Sequence, residues 1–339
     1  MKRNQSIELL KLISIFFIVI IHNPFASRFG FVMDTIARFA VPIFFMITGY
    51  FIIQPNKTSI KLKKQVIKLT KYYILYQFIY ILYYLIIALV EHKFQNFENN
   101  FITNIKYILI APVIGTHLWY IINIIWALII IYFFNYFDKL KVLFISSIIL
   151  HLIGIFISNL SIQIFHRILP LYETRNFLFF GLFYIMLGAY IRKVDINKIK
   201  FNNIIILLFS IFMCLFQVAE RYMWKTLFNS RFGDYFITTI IASISIFIFA
   251  LKSNVNNRII EKISSYSMPI YFLHILVMDI LGLLSSHIFH IDINRIKGIF
   301  VGNLIFILVV CTFSCALYDI SKNLLQSLIR KIIKPIKNN

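Results

Sequence analysis

Apolar stretches of about 20 residues recur along this chain, with little between them except short clusters of lysine, arginine and asparagine, and this repetition limits the fold more than any single motif. Ten such stretches fall at 6–23, 32–54, 69–90, 117–137, 141–160, 176–191, 202–219, 235–251, 266–286 and 298–320. Inside hydrocarbon each backbone N–H and C=O must be satisfied within its own segment, so every stretch is predicted to be a helix. The chain therefore reads as an all-α polytopic membrane protein of about ten transmembrane helices. Hydrophobic residues make up 60% of the 339 positions and charged residues 14%, whereas soluble domains carry about 25% charged residues; a soluble enzyme is excluded. In a soluble protein the formal charge of +21 would point to nucleic acid. Here its distribution is a topology signal, and no nucleic-acid partner is expected.

Lysine and arginine accumulate on cytoplasmic loops. With the N-terminus inside, alternate segments hold 22 basic residues on the cytoplasmic side and 11 outside, with Lys11 within the first span. Both termini are thus expected to be cytoplasmic. The stretch from Ile102 to Val113 is apolar but short and carries Pro112, so it is read as interfacial or re-entrant. The first segment resembles a secretory signal in having Lys2 and Arg3 ahead of apolar residues, but Glu8 and Lys11 interrupt it and no small-x-small cleavage site follows;. Residues 1–322 are read as one membrane domain and 323–339 as a short basic cytoplasmic tail. Three cysteines make no disulfide framework, and Cys311 and Cys315, at i, i+4 spacing in an apolar run, are read as packing residues;.

Ionisable side chains within a bilayer are costly, which makes each one a candidate site residue. The first span carries Glu8, Lys11 and His22. Eleven positions at 100° per residue bring Lys11 and His22 to one helix face, about 16 Å apart along the axis, and Glu8 can pair with Lys11. The plainer alternative is an interfacial ion pair below a packed histidine. In the second span Pro42 and Gly49 interrupt an apolar run, which requires neighbouring helices or a cavity to satisfy the freed backbone groups.

Lys11, ten residues, then His22, followed by Arg38-x-x-Val-Pro-x-Phe-Phe-x-x-Thr-Gly49, resembles the membrane-bound acyltransferase-3 family. Further elements agree: His117-Leu-Trp-Tyr120, Thr174-Arg-Asn176, Gly188-Ala-Tyr-Ile-Arg-Lys193 and Tyr271-Phe-Leu-His274. Within that family the chain looks most like the membrane domain of vancomycin-resistance serine racemases and their stand-alone relatives. It departs in having Lys11 where many members have arginine, which keeps the charge but loses the forked geometry suited to phosphate, and Thr48 where many have serine.

The resemblance implies transfer of an acyl group, usually acetyl, from cytoplasmic acetyl-CoA to a hydroxyl of an envelope glycan or glycolipid at the outer face of a bacterial cytoplasmic membrane. Lys11 would meet a CoA phosphate, with Lys64 and Lys68 of the cluster between Lys61 and Lys71 drawing the donor in; that cluster also fits a topology signal or lipid headgroups. His22 would be the general base or a transient acyl carrier, with Glu220 orienting it or the acceptor unless Glu220 lies in a solvated loop. Arg38 and Arg175, which could equally pair with headgroups, are candidate contacts to the acceptor. Asn176 joins them, as do Thr48, which more commonly bonds its own helix, His274, whose plainer reading is a satisfied bundle histidine, and Trp119 and Tyr120, whose alternative is an interfacial aromatic belt. His287, His290 and Asp292 have the only ligand-like spacing, too weak for a metal site, and no metal is expected. The competing function is a transporter or flippase for a serine-like amino acid or lipid-linked sugar, although the matched, broken half-repeats of transporters are not found.

Overall fold

Asn4 starts the first helix: its side chain accepts from Ser6 N at 3.0 Å and Ile7 N at 3.2 Å, satisfying two of the donors that a helix start leaves open. The helix α1 (Gln5–His22) runs until Asn23-Pro24, where proline cannot continue it;. The computed structural model describes residues 4–53, 58–230, 235–287, 290 and 299–336. Among these, every regular element is helical, as the hydropathy pattern requires.

The second expected span is two helices, α2 (Ser27–Ile36) and α3 (Ala40–Ile52), joined by a 3-10 turn at Ala37–Phe39. The break lies one turn ahead of Pro42, whose ring crowds the carbonyl four residues earlier. Then follow α4 (Thr58–Val90), α5 (Phe94–Tyr107), α6 (Trp119–Tyr136) and α7 (Leu140–Asn159), with short helices α8 (Ser161–Phe165) and α9 (Leu171–Thr174). A π-helical turn at Phe177–Gly181 leads into α10 (Leu182–Ile191). The remainder is α11 (Asn203–Phe228), α12 (Ile237–Lys252), α13 (Arg258–Ser264), α14 (Ser267–His287) and α15 (Phe300–Ile336).

Eight helical segments among the described residues are long and apolar enough to cross a membrane, α2 and α3 counting together as Ser27–Ile52, and the expected sixth and eighth spans are shorter apolar helices, Phe177–Ile191 and Ile237–Lys252. The protein is an all-α polytopic membrane protein. Side chains such as Ile74, Phe78, Leu208 and Phe212 stand exposed on its outer surface, where lipid is the natural neighbour. Three expectations shift. The Ile102–Val113 stretch is not one helix: α5 begins earlier, ends at Tyr107, and its buried Asn104 holds Val113 N and Ile114 N at 2.8 and 3.0 Å. The seventh span continues to Phe228, because Gln217, Glu220 and Trp224 lie on its buried face at helical spacing. The basic segment beyond Lys322 is helical to Ile336.

α1 occupies the middle of the bundle, packing on α3, α12, α13, α14 and α15. The tightest crossing is between α3 and α10. A Cβ on Gly49 would lie 1.8 Å from Ile185 O, and one on Gly188 would lie 2.0 Å from Met46 O, so the two glycines let the backbones touch. Gly49 thus meets a neighbouring helix, one of the two surroundings that the sequence allows for it. Arg192 closes the same pair of helices, donating to Tyr50 O at 2.9 Å with its guanidinium 5.2 Å from the Tyr50 ring centre.

Candidate active site

At the Lys11 end of α1 the helices part around a cavity of about 410 Å³ whose walls include Glu8, Lys11, Thr48, Tyr120, Ser267 and Tyr271. The expected ion pair is present. Lys11 Nζ donates to Glu8 Oε1 at 2.8 Å, and the second Glu8 oxygen accepts from Ser264 Oγ at 2.5 Å. This carboxylate is 6% exposed and is satisfied from both sides, which is what makes a buried charge tolerable. Lys11 thus enters the cavity already neutralised, with two of its three donor hydrogens left for a ligand. Lys64 and Lys68 are exposed on α4 and do not line the cavity, although Gln65 and Leu69 between them do. A second cavity of similar size, between α1, α11 and α12, is lined by apolar, serine and cysteine side chains and has no ionisable group suited to acyl transfer.

Beyond the Tyr120 and Tyr271 wall stand three imidazoles, two from helices and one from a 3-10 turn. The ring centroid of His22, at the end of α1, is 5.0 Å from that of His274 in α14 and 6.5 Å from that of His117, and the last two are 5.2 Å apart. His117 and His274 are buried, at 1% and 0% exposure, while His22 is exposed. His22 is thus the member of this cluster open to approach. His274 Nδ1 lies 3.1 Å from Ile270 O and 2.8 Å from Tyr271 O. The His274 Nε2 and both nitrogens of His117 have no hydrogen-bond partner among the described residues.

His117 is carried by a 3-10 turn, Thr116–Leu118, and the loop before it is fastened by buried amides. Gln77 donates to Ile114 O at 3.0 Å, and Asn104 holds the two preceding N–H groups. Gly115 turns the chain with φ +68°, where a Cβ would also press on Leu118 and Tyr80 at 3.2 Å;. Tyr271 Oη then donates to His117 O at 2.5 Å. Tyr80 packs edge-on against the imidazole with centroids 4.9 Å apart, while its hydroxyl donates to Phe272 O at 2.9 Å. His117 was visible in sequence only as part of a motif; the signal for it is a histidine opening an apolar span directly after a glycine turn.

Arg38 and Arg175 are close enough to His22 for their charges to act on it. Both are built in. Arg38 Nη2 reaches the two Asp34 oxygens at 2.7 Å each, and Arg221 approaches the same carboxylate at 2.6 Å and Thr35 Oγ1 at 2.7 Å. Two guanidiniums on one carboxylate leave this cluster one positive charge in excess. The Arg175 guanidinium lies 4.5 Å from the Trp119 ring centre. Both aromatics pack on neighbouring helices: Trp119 on Phe180 at 6.1 Å, and Tyr120 between Phe45 at 4.7 Å and Tyr271 at 5.3 Å.

Other anticipated residues have local duties. Glu220 is not placed on His22. Its carboxylate accepts from Ile237 N at 2.8 Å, Thr238 N at 2.9 Å, Thr238 Oγ1 at 2.5 Å and Trp224 Nε1 at 3.2 Å, capping the start of α12 from a neighbouring helix. Asn176 caps the π-turn, accepting from Leu178 N and Phe179 N at 3.0 and 3.1 Å and donating to Tyr172 O and Glu173 O. Thr48 Oγ1 donates to Phe44 O of its own helix at 2.9 Å;, beside the Tyr120 phenol. Asp292 lies outside the described residues, and no group of three metal-binding side chains occurs among those described.

A family model described as an acyltransferase domain matches residues 4–319. No curated protein and no solved structure matches the chain.

Proposed function

The chain belongs to the membrane-bound acyltransferase-3 family, and from that premise we propose that it transfers an acetyl group from cytoplasmic acetyl-CoA to a hydroxyl of an envelope glycan or glycolipid in the bacterial cytoplasmic membrane. In this reading both termini are cytoplasmic, acceptor and membrane lipids are the partners, and the acceptor approaches from outside. One observation supports it most: a polar cavity at the Lys11 end of α1 ends on Tyr120 and Tyr271, and a cluster of imidazoles including the exposed His22 begins directly behind them. Donor and acceptor can then meet inside the membrane without either crossing it.

Lys11 takes a CoA phosphate, and the exposed Lys64 and Lys68 raise the local concentration of the anionic donor. The thioester lies at the inner end of the cavity, by Thr48 and Tyr120. On the far side Arg38 and Arg175 hold the acceptor. His22 accepts the proton of the attacking hydroxyl as the oxygen bonds to the thioester carbonyl carbon. The C–S bond then breaks, and the departing thiolate takes the proton back from the imidazolium, leaving neutral His22 and free CoA. Imidazole suits this exchange because it gains and loses a proton near neutral pH. The transport alternative has no comparable support, since the family match is to an acyltransferase.

The test is reconstitution in liposomes with acetyl-labelled acetyl-CoA on the side bearing the termini and an envelope-glycan fraction on the other. Label is expected in the glycan with wild type. Absence of label in every acceptor fraction, from folded protein that binds CoA, would overturn the proposal.

A further inference from the structure

His22 is the proposed base, yet the carboxylate expected to orient it, Glu220, is committed to α12. A different group fills that place. His274 Nδ1 lies against two carbonyl oxygens, Ile270 O at 3.1 Å and Tyr271 O at 2.8 Å. Carbonyls only accept, so Nδ1 carries the hydrogen, and in a neutral imidazole Nε2 is then a bare lone pair. That lone pair is buried and makes no hydrogen bond among the described residues. Leaving it so would cost the desolvation of an acceptor, and a small turn of a neighbouring donor ring would satisfy it.

The rings around it narrow the choice. The Tyr271 centroid is 6.3 Å away, but its hydroxyl is used on His117 O. The two remaining rings able to donate are His22, at 5.0 Å, and His117, at 5.2 Å. Either separation leaves room for one N–H···N bond of about 2.9 Å, but only His22 is exposed to an incoming substrate, His117 being buried.

We propose that His274 is the positioning residue of the site: its Nε2 accepts the N–H of His22 and thereby turns the other His22 nitrogen, as a lone pair, towards the incoming hydroxyl. This rests on the reading of His22 as the base. It assigns to a neutral imidazole, locked by backbone carbonyls, the orienting duty that a carboxylate performs in many general-base sites. Because Nδ1 is held by two acceptors, His274 cannot pass the proton onward, so the proton on His22 returns to the leaving thiolate.

The test uses the full chain in nanodiscs with ¹⁵N-histidine, the His22 signals being assigned by difference from His22→Gln. Wild type is expected to show His22 as a single tautomer and His274→Leu as a mixture. In His274→Gln the side-chain carbonyl replaces Nε2 as acceptor and the single tautomer returns. With turnover, His274→Leu is expected to lower kcat about 100-fold, the scale of a misplaced catalytic group, with KM for acetyl-CoA unchanged and at least tenfold recovery in His274→Gln. The spectrum needs no turnover, so the pairing is tested even if wild type proves inactive and the base reading fails. A wild-type His22 already divided between tautomers, an unchanged tautomer in His274→Leu, or a mixture produced by His117→Leu alone would each overturn the proposal. If His274→Leu does not fold, the wild-type and His274→Gln spectra decide it.

Discussion

Removing Lys11 should do more than delete one contact, because Glu8 sits 2.8 Å behind its ammonium. A CoA phosphate about 4 Å from Lys11 is attracted by about 2 kcal/mol at an effective dielectric near 40, and Glu8, about 7 Å off, repels it by about 1.2 kcal/mol. Lys11→Ala removes the attraction and leaves the repulsion, so CoA is expected to bind roughly 30-fold more weakly. Adding Glu8→Gln removes the repulsion as well and should recover roughly sevenfold, while Glu8→Gln alone should bind CoA about sevenfold tighter than wild type. Ser264 still donates to residue 8 in each case, so folding is expected to survive, which a thermal melt checks. Isothermal titration of CoA into the detergent-solubilised full chain reads all four affinities. If the double variant binds no better than Lys11→Ala, Glu8 brings no charge to the cavity and the reasoning fails.

His22→Ala should abolish acetyl transfer with CoA affinity close to wild type, as measured by transfer and titration on the same preparation. Gly188→Ala, which places a methyl 2.0 Å from Met46 O, should destabilise by at least the 1–3 kcal/mol, roughly, of ordinary overpacking. Gly282→Ala, with nothing within 4 Å of the added atom, should be neutral or stabilising by about 0.5–1 kcal/mol; melting midpoints compare the two. Glu220→Gln should lower stability by about 1–3 kcal/mol, through donors left without a charged acceptor, while the folded fraction keeps the wild-type kcat, since this carboxylate caps α12.

The spans were legible because hydrocarbon admits so few backbone solutions, and the pairing of Glu8 with Lys11 because helix geometry alone sets it. What escaped depends on which helices meet. Nothing in the order of residues says that His117 and His274, more than 150 positions apart, will share a site with His22. Glu220 read as a candidate partner of His22 at the outer end of its span, but α11 continues past it to Phe228 and its carboxylate caps α12 instead. Asp34 was not singled out, although it joins Arg38 to Arg221, because its partner on α11 is visible only in three dimensions.

Tyr271 both lines the cavity and fastens the carbonyl of His117, so the two compartments are separated by little more than a phenol ring. The consequence is electrical. If CoA stays on one side of that ring, the acetyl group passes one way while the hydroxyl proton passes the other to the thiolate, so no net charge moves through the membrane field, where each elementary charge would exchange about 2.3 kcal/mol per 100 mV. Turnover should then be indifferent to an imposed membrane potential, so that, on the proposed reading, a cell's exterior can be modified without discharging its membrane.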